Sequence, residues 1–400
     1  MRSKLSLWNV LAQKNFGLFW WSLLISAIGD QIANVTIAWQ VYTITNSPLQ
    51  LGLTGLFRAL PIFIFSLTGG VLADRTSRRK LLIFSQGIGM ILALLLGLLT
   101  TTGLVKVWHI YVAAFIAGAV STFDQPARSA LVPSLVPKEH LATAFALSVT
   151  LRQSATLFGP FLGGMIIASL GISSAHYINA LSFLSVIVCL ALIQLQEIWT
   201  ISRKESPLQS LREGIKFLWH ESGIMALLVL DTCVNLVGAY KSMMPVFARD
   251  LLAVGPQGLG MLLGSPALGA LVGSGVVIIT GNPEKKGRLI IATTLAYCVC
   301  LVAFALSRSF AISLIVVFLL GALDAVGETF RMTVSQLMTP DQLRGRVQGL
   351  VYLFVIGSPS LGQAQLGAVA SFLSVPGALI LGGIIGMAAV GVMSKRIYHL

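Results

Sequence analysis

Residues 81–103 run for the length of a bilayer without one charged side chain, and Arg78-Arg79-Lys80 stands at their start. A helix needs about 20 mainly apolar residues to cross the hydrocarbon core. The same alternation of long apolar run and short polar turn continues through most of the chain. The runs are too long for strands and do not alternate with period two, which argues against a transmembrane β-barrel. Only 10% of the residues are charged, against about 25% in soluble domains, and the mean hydropathy is +0.87. Such a chain cannot cover itself with polar surface. The fold class this leaves is an all-α membrane protein.

Twelve spans are expected, at about 16–43, 51–73, 81–103, 107–131, 141–169, 174–195, 222–248, 257–280, 289–307, 310–335, 346–370 and 374–394. The longest polar interval, 196–221, separates six spans from six. That gives an N-terminal six-helix bundle over 1–195, a cytoplasmic linker over 196–221 and a C-terminal six-helix bundle over 222–400. In the linker Leu208, Leu211, Ile215 and Leu218 recur at helical spacing among Arg212, Glu213 and Lys216, which suggests an amphipathic helix at the interface.

The net charge of +13 first suggests nucleic acid. Its placement argues otherwise. Of 27 Lys and Arg residues, 21 fall at alternate span ends that share one side, and six lie elsewhere. Basic residues gather on the cytoplasmic side, so both termini and the linker are expected there. The charge reports topology. The four cysteines lie inside apolar runs and read as small apolar filler. The five histidines are dispersed without metal spacing, and no phosphate-binding loop is present. No metal, cofactor or enzymatic activity is expected.

The halves look related. Arg128 and Arg331, Pro137 and Pro340, Gly159 and Gly362, and Gly164 and Gly367 are each separated by 203 positions. The two pseudo-symmetric bundles are therefore expected to be copies of one plan, an arrangement known among transporters.

Ionisable residues inside the spans are few: Asp30, Arg58, Asp124, Arg152, Asp231, Asp324 and Glu328. A charge at a helix centre costs roughly 2.5–3.5 kcal/mol on insertion scales, so pairing or use is expected for each. Asp124 with Arg128, four apart, and Glu328 with Arg331, three apart, read as ion pairs on one helix face. Asp324 lies one turn before Glu328. Two carboxylates that close resist joint ionisation in low dielectric, which makes Asp324 and Glu328 proton-coupling candidates. Asp30 and Asp231, in the first spans of the two halves, are the other two. Arg58 and Arg152 would pair with these acids or hold an anionic substrate. Gly159-Pro160-Phe161-Leu162-Gly163-Gly164 places Gly159 and Gly163 on one smooth face of span 5, suited to close helix packing.

Between spans 2 and 3 stands Gly70-Val71-Leu72-Ala73-Asp74-Arg75-Thr76-Ser77-Arg78-Arg79-Lys80. This resembles the loop signature of the major facilitator superfamily, with Ser77 where that pattern usually has glycine. The span-5 stretch resembles the signature of the superfamily's antiporter branch. Gly29-Asp30, Asn46-Ser47-Pro48, Pro126-Ala127-Arg128, Leu211-Arg212-Glu213-Gly214, Pro245-Val246-Phe247-Ala248 and Leu343-Arg344-Gly345-Arg346-Val347 narrow the resemblance. Together they look like the exporter family that includes siderophore and macrolide efflux proteins. The resemblance implies a secondary exporter of small amphiphilic molecules in the inner membrane, working by alternating access and proton antiport. It also implies that Gly70, Asp74, Arg75, Arg78 and Arg79 belong to a cytoplasmic latch, which Arg128 is placed to join. The expected partners are a small-molecule substrate, protons and membrane lipid, with no nucleic acid. A lipid or lysolipid flippase of the same fold and a non-transporting membrane sensor are the alternatives.

Overall fold

The computed structural model describes residues 9–75, 77–193, 221–281, 283 and 285–399, with 216 and 219. The expected linker helix over 208–218 lies almost wholly outside them. The long elements are all helices: α1 (Lys14–Thr45), α2 (Pro48–Arg75), α3 (Arg78–Thr101), α4 (Val107–Leu131), α5 (Leu141–Leu170), α6 (Ile172–Leu192), α7 (Ser222–Val237), α8 (Gly255–Thr280), α9 (Lys286–Leu306), α10 (Phe310–Met338), α11 (Asp341–Leu373) and α12 (Val375–Ile397). Among the described residues, eleven segments are long and apolar enough to cross a membrane, with α7 counted through its continuation to Leu251. The remaining long helix, α11, has 33 residues and so extends about 50 Å.

The described residues fall into two compact units. One lies within Met1–Thr45 and Phe57–Arg203, the other within Asn46–Leu56 and Lys204–Leu400. In the first, α1 packs on α5 and α6, and α3 on α4 and α6. In the second, α7 packs on α11 and α12, and α9 on α10 and α12. The two schemes correspond helix for helix. A cluster of buried side chains that includes Phe16, Phe19, Leu82, Leu131, Leu147 and Leu190 ties five helices of the first unit together at the end that carries Arg78-Arg79-Lys80. Elsewhere large apolar side chains point outward, with Ile279 and Phe372 each 88% exposed. That is stable only where the solvent is hydrocarbon.

Small residues set the closest crossings. A Cβ on Gly269 or Gly321 would strike the backbone of the facing helix where α8 crosses α10. Gly159 and Gly163 of α5 lie against Gln31, Ile32 and Val35 of α1 in the same manner, and Gly159, Pro160, Gly163 and Gly164 are all buried. α5 stays continuous through Pro160. Without water to drive apolar surfaces together, such backbone approach supplies the packing attraction between helices.

Span 7 corrects the expectation of one unbroken helix over 222–248. α7 stops at Val237, and a 3₁₀ turn (Tyr240–Met243), a single α turn (Met244–Val246) and a π turn (Phe247–Leu251) follow. The cause is local. Gly238 closes the last α-helical bond, to the carbonyl of Val234 at 2.8 Å, and Tyr240 N–H then bonds back to Gly238 at 2.7 Å. Pro245 removes a further donor from the next turn. Tyr297 Oη donates to the Gly238 carbonyl at 3.4 Å, partly satisfying a group that the break releases. Aromatic packing holds the irregular segment, with Phe247 stacked on Phe304 at 4.3 Å between centroids and Tyr240 edge-on to Phe304 at 6.0 Å.

Candidate functional site

In the first unit the spacing of Asp124 and Arg128 on α4 produces a contact. Arg128 Nε lies 2.5 Å from Asp124 Oδ2. The approach is off the N–H axis, so it is a charge pair rather than an aligned hydrogen bond. Asp124 is buried, and its other oxygen accepts from Gln86 Nε2 of α3 at 2.9 Å. Gln86 Oε1 in turn accepts from Ser26 Oγ of α1 at 3.4 Å. The Gln86 amide thus links three helices, α1, α3 and α4. Gln86 is a partner that charge spacing does not reveal. Its signal is a lone amide within the apolar run 81–103.

Asp30 lies one turn along α1 from Ser26 and is half-buried. Among the described residues it forms no ion pair within 4.0 Å. The charges of Arg128, Arg58 and Asp124 all act on it. Arg58 on α2 spends one donor on a neutral partner, Asn34 Oδ1 at 2.6 Å. Arg152, on α5, is exposed. Neither arginine forms an ion pair with Asp30 or Asp231, so the pairing expected for these bases is not what the structure shows.

In the second unit the expected Glu328–Arg331 pair is absent. Arg331 Nη2 reaches across to Asp231 Oδ1 of α7 at 2.8 Å, with Asp324 Oδ1 of its own helix at 3.7 Å. Asp231 and Arg331 are mostly buried, with 15% and 12% of their side chains exposed. Glu328 is exposed. The physical reason is direction. Asp324 lies seven positions before Arg331, two turns along the same helix face, whereas Glu328 projects to one side of that line. Gly327 completes the arrangement. A Cβ there would sit 2.9 Å from Arg331 Nη1, so the absent side chain provides the space in which the guanidinium lies.

Of the loop residues, Arg78 and Arg79 are bonded within the first unit. Gly70, Asp74 and Arg75 lie in the last turns of α2. Arg78 Nη1 donates to the Ala130 carbonyl at the end of α4, at 2.8 Å, and Arg79 Nη2 to the Ala191 carbonyl at the end of α6, at 3.0 Å. Cations at helix C-termini satisfy free carbonyls and the helix dipole. Ser77 is the N-cap of α3, with φ −54 and ψ 120 and its Oγ accepting from Lys80 N–H at 3.4 Å. Its backbone angles are open to any residue, so this turn does not need glycine.

A second polar chain crosses the first unit. Gln40 Nε2 donates to Thr100 Oγ1 at 2.8 Å, and Gln40 Oε1 lies 2.8 Å from His176 Nε2. With the amide so oriented its oxygen accepts, and His176 carries a proton on Nε2. Gln40 and His176 are buried.

Charged groups paired inside the spans of a helical bundle are a feature that membrane transporters share. The fold is shared with solved transporters at low identity. A bacterial homologue of the human lysosomal transporter Spinster superposes with a TM-score of 0.76 at 13% identity, over 96% of this chain and 97% of that one. A bacterial homologue of the iron transporter ferroportin gives 0.72 at 16% identity, over 96% and 98%. The chain belongs to the family described as transmembrane secretion effector, of the major facilitator superfamily, whose profile matches residues 5–398. It is 26% identical over 354 residues to the enterobactin exporter EntS of Shigella boydii serotype 18, covering 88% of this chain and 84% of that protein. The same values hold for EntS of Escherichia coli O81. The protein is a multi-pass membrane transporter and not an enzyme.

Proposed function

We propose that the protein exports small amphiphilic organic molecules, of drug or siderophore type, across the inner membrane by proton antiport and alternating access. Family membership and the enterobactin exporters among its relatives support the export direction. The excess of basic residues at alternate span ends supports cytoplasmic termini.

The observation that carries the coupling is Asp30, a carboxylate within a span that no cation among the described residues pairs with inside 4.0 Å. Holding it charged there costs roughly 2.5–3.5 kcal/mol. Protonation relieves that cost, and passage of one charge down 100 mV supplies about 2.3 kcal/mol. A proton bound at Asp30 therefore biases one conformation of the cycle. Asp231 and Asp324 share Arg331 and serve the second unit as its counter-charge. Asp74 belongs to the cytoplasmic latch that the loop signature implies. Asp74→Asn is expected to slow export several-fold while leaving the protein in the membrane.

Dye and drug export from cells, with and without an uncoupler, tests the coupling. Export should stop with the uncoupler and fall at least tenfold in Asp30→Asn. Export indifferent to the uncoupler would remove the antiport mechanism.

A further inference from the structure

The continuation of α7 holds a cation that the internal pairs do not use. From Gly223 to Arg249 the chain is buried or half-buried at every position except one, Lys241. The neighbouring spans show large apolar side chains outward, as at Leu271 and Ile279 of α8. No such residue occurs from Gly223 to Arg249, so this segment does not present a lipid-facing surface. Its one exposed side chain is an ammonium.

Lys241 lies within the depth of the membrane. It stands four positions past the midpoint of the 29-residue span Gly223–Leu251, about 6 Å along the axis, where the half-thickness of the hydrocarbon core is about 15 Å. An exposed charge at that depth faces water inside the protein. Its ammonium is also largely unspent. It stands 6.0 Å from the Tyr240 ring centroid, at the outer limit of a cation–π contact. Among the described residues it forms no ion pair within 4.0 Å. Glu328, the exposed acid of α10, acts on the same region from a longer distance. The break at Gly238 and Ala239 turns the chain so that Tyr240 goes inward and Lys241 outward.

We propose that Lys241 is a specificity-determining residue that binds the acidic oxygen of an amphiphilic substrate, a carboxylate above all, with Glu328 opposing a second negative charge. The assignment rests on the transporter reading, which supplies the water-filled path that an exposed intramembrane lysine requires.

Two dyes of opposite charge separate this proposal from its alternatives. Carboxyfluorescein and ethidium would be titrated by fluorescence polarisation against the full chain in phosphatidylcholine nanodiscs, then followed in proteoliposomes. Wild type should bind carboxyfluorescein through one carboxylate, with the remaining negative charge opposed by Glu328. Lys241→Gln should weaken that dye about tenfold or more, with ethidium unchanged and Lys241→Arg restoring most of the binding. Glu328→Gln should tighten carboxyfluorescein, a change that loss of folding cannot imitate. Equal carboxyfluorescein affinity in wild type and Lys241→Gln overturns the proposal, as does an unchanged affinity in Glu328→Gln. Phosphatidylglycerol that displaces the dye only when Lys241 is present would assign the acidic oxygen to a lipid headgroup. Dye bound through Lys241 but not moved in proteoliposomes would defeat export while leaving the assignment standing.

Discussion

Arg128 and Arg331 stand 203 positions apart, at matching places on α4 and α10, and they solve the same problem in different ways. Arg128 is neutralised by its own helix, through Asp124 one turn back at 2.5 Å. At the matching place the second unit has Gly327. With no carboxylate there, Arg331 turns across to Asp231 of α7 at 2.8 Å. Deleting one acid thus converts a pair within a helix into a tie between helices. The local pair persists wherever α4 is helical. The cross-helix pair exists only when α7 and α10 are docked, so it reports on tertiary structure and is sensitive to any motion between them.

The largest effect expected from this contrast is at Arg331. Arg331→Met strands Asp231 and, in part, Asp324, and breaking a buried pair costs about 3–5 kcal/mol. The detergent-solubilised protein should melt well below wild type, with partial recovery when Asp231→Asn is added. A variant that melts like wild type would show that the tie carries no stability. Arg128→Met should cost less, about 1–3 kcal/mol, because Asp124 keeps its hydrogen bond from Gln86 at 2.9 Å. The same melting assay ranks the two.

Gly327→Asp sharpens the comparison further. It gives the second unit the first unit's pattern and offers Arg331 a partner on its own helix. Export should fall several-fold with only a modest loss of stability, and a double-mutant cycle of Asp231→Asn with Arg331→Met should lose most of its coupling energy in that background. Coupling that survives intact would mean that Gly327 does not direct the arginine. Gly327→Ala should have a smaller effect than Gly327→Asp, because its Cβ meets the free end of a long side chain, Arg331 Nη1 at 2.9 Å, and Thr293 Oγ1 at 3.3 Å, and the guanidinium can shift by a few tenths of an ångström. The smallest effect is at Ser77→Ala, which removes a long N-cap bond of 3.4 Å and should cost about 0.5 kcal/mol.

The positions of the helices were legible because bilayer thickness fixes their length. The runs expected at 81–103, 107–131 and 141–169 differ by at most three residues at either end from Arg78–Thr101, Val107–Leu131 and Leu141–Leu170. Asp124–Arg128 was legible for a related reason, since one turn of helix separates them. The same rule misled at Glu328. Arg331 has two neighbours on its helix at helical spacing, and its strongest partner lies a hundred positions away on α7. Spacing carries no information about contacts between helices. Neutral partners such as Gln86 and Asn34 were missed because charge alone was followed, and the break at Gly238 because one glycine among 39 gives no warning.

The buried chain of Thr100, Gln40 and His176 has a mechanical consequence. Each bond is 2.8 Å long and together they rivet α1, α3 and α6 at one level. Hydrogen bonds between membrane helices are worth only about 0.6 kcal/mol on average, but here both ends of one amide are engaged, and neither can let go without leaving a polar atom in an apolar interior. The three helices therefore move as one stiff lever. Span 7 is held differently, by the Asp231–Arg331 pair before its break and by the Tyr297 bond and ring contacts at and beyond it. Labels placed at the level of Gln40 on these three helices would keep one set of separations through the whole working stroke.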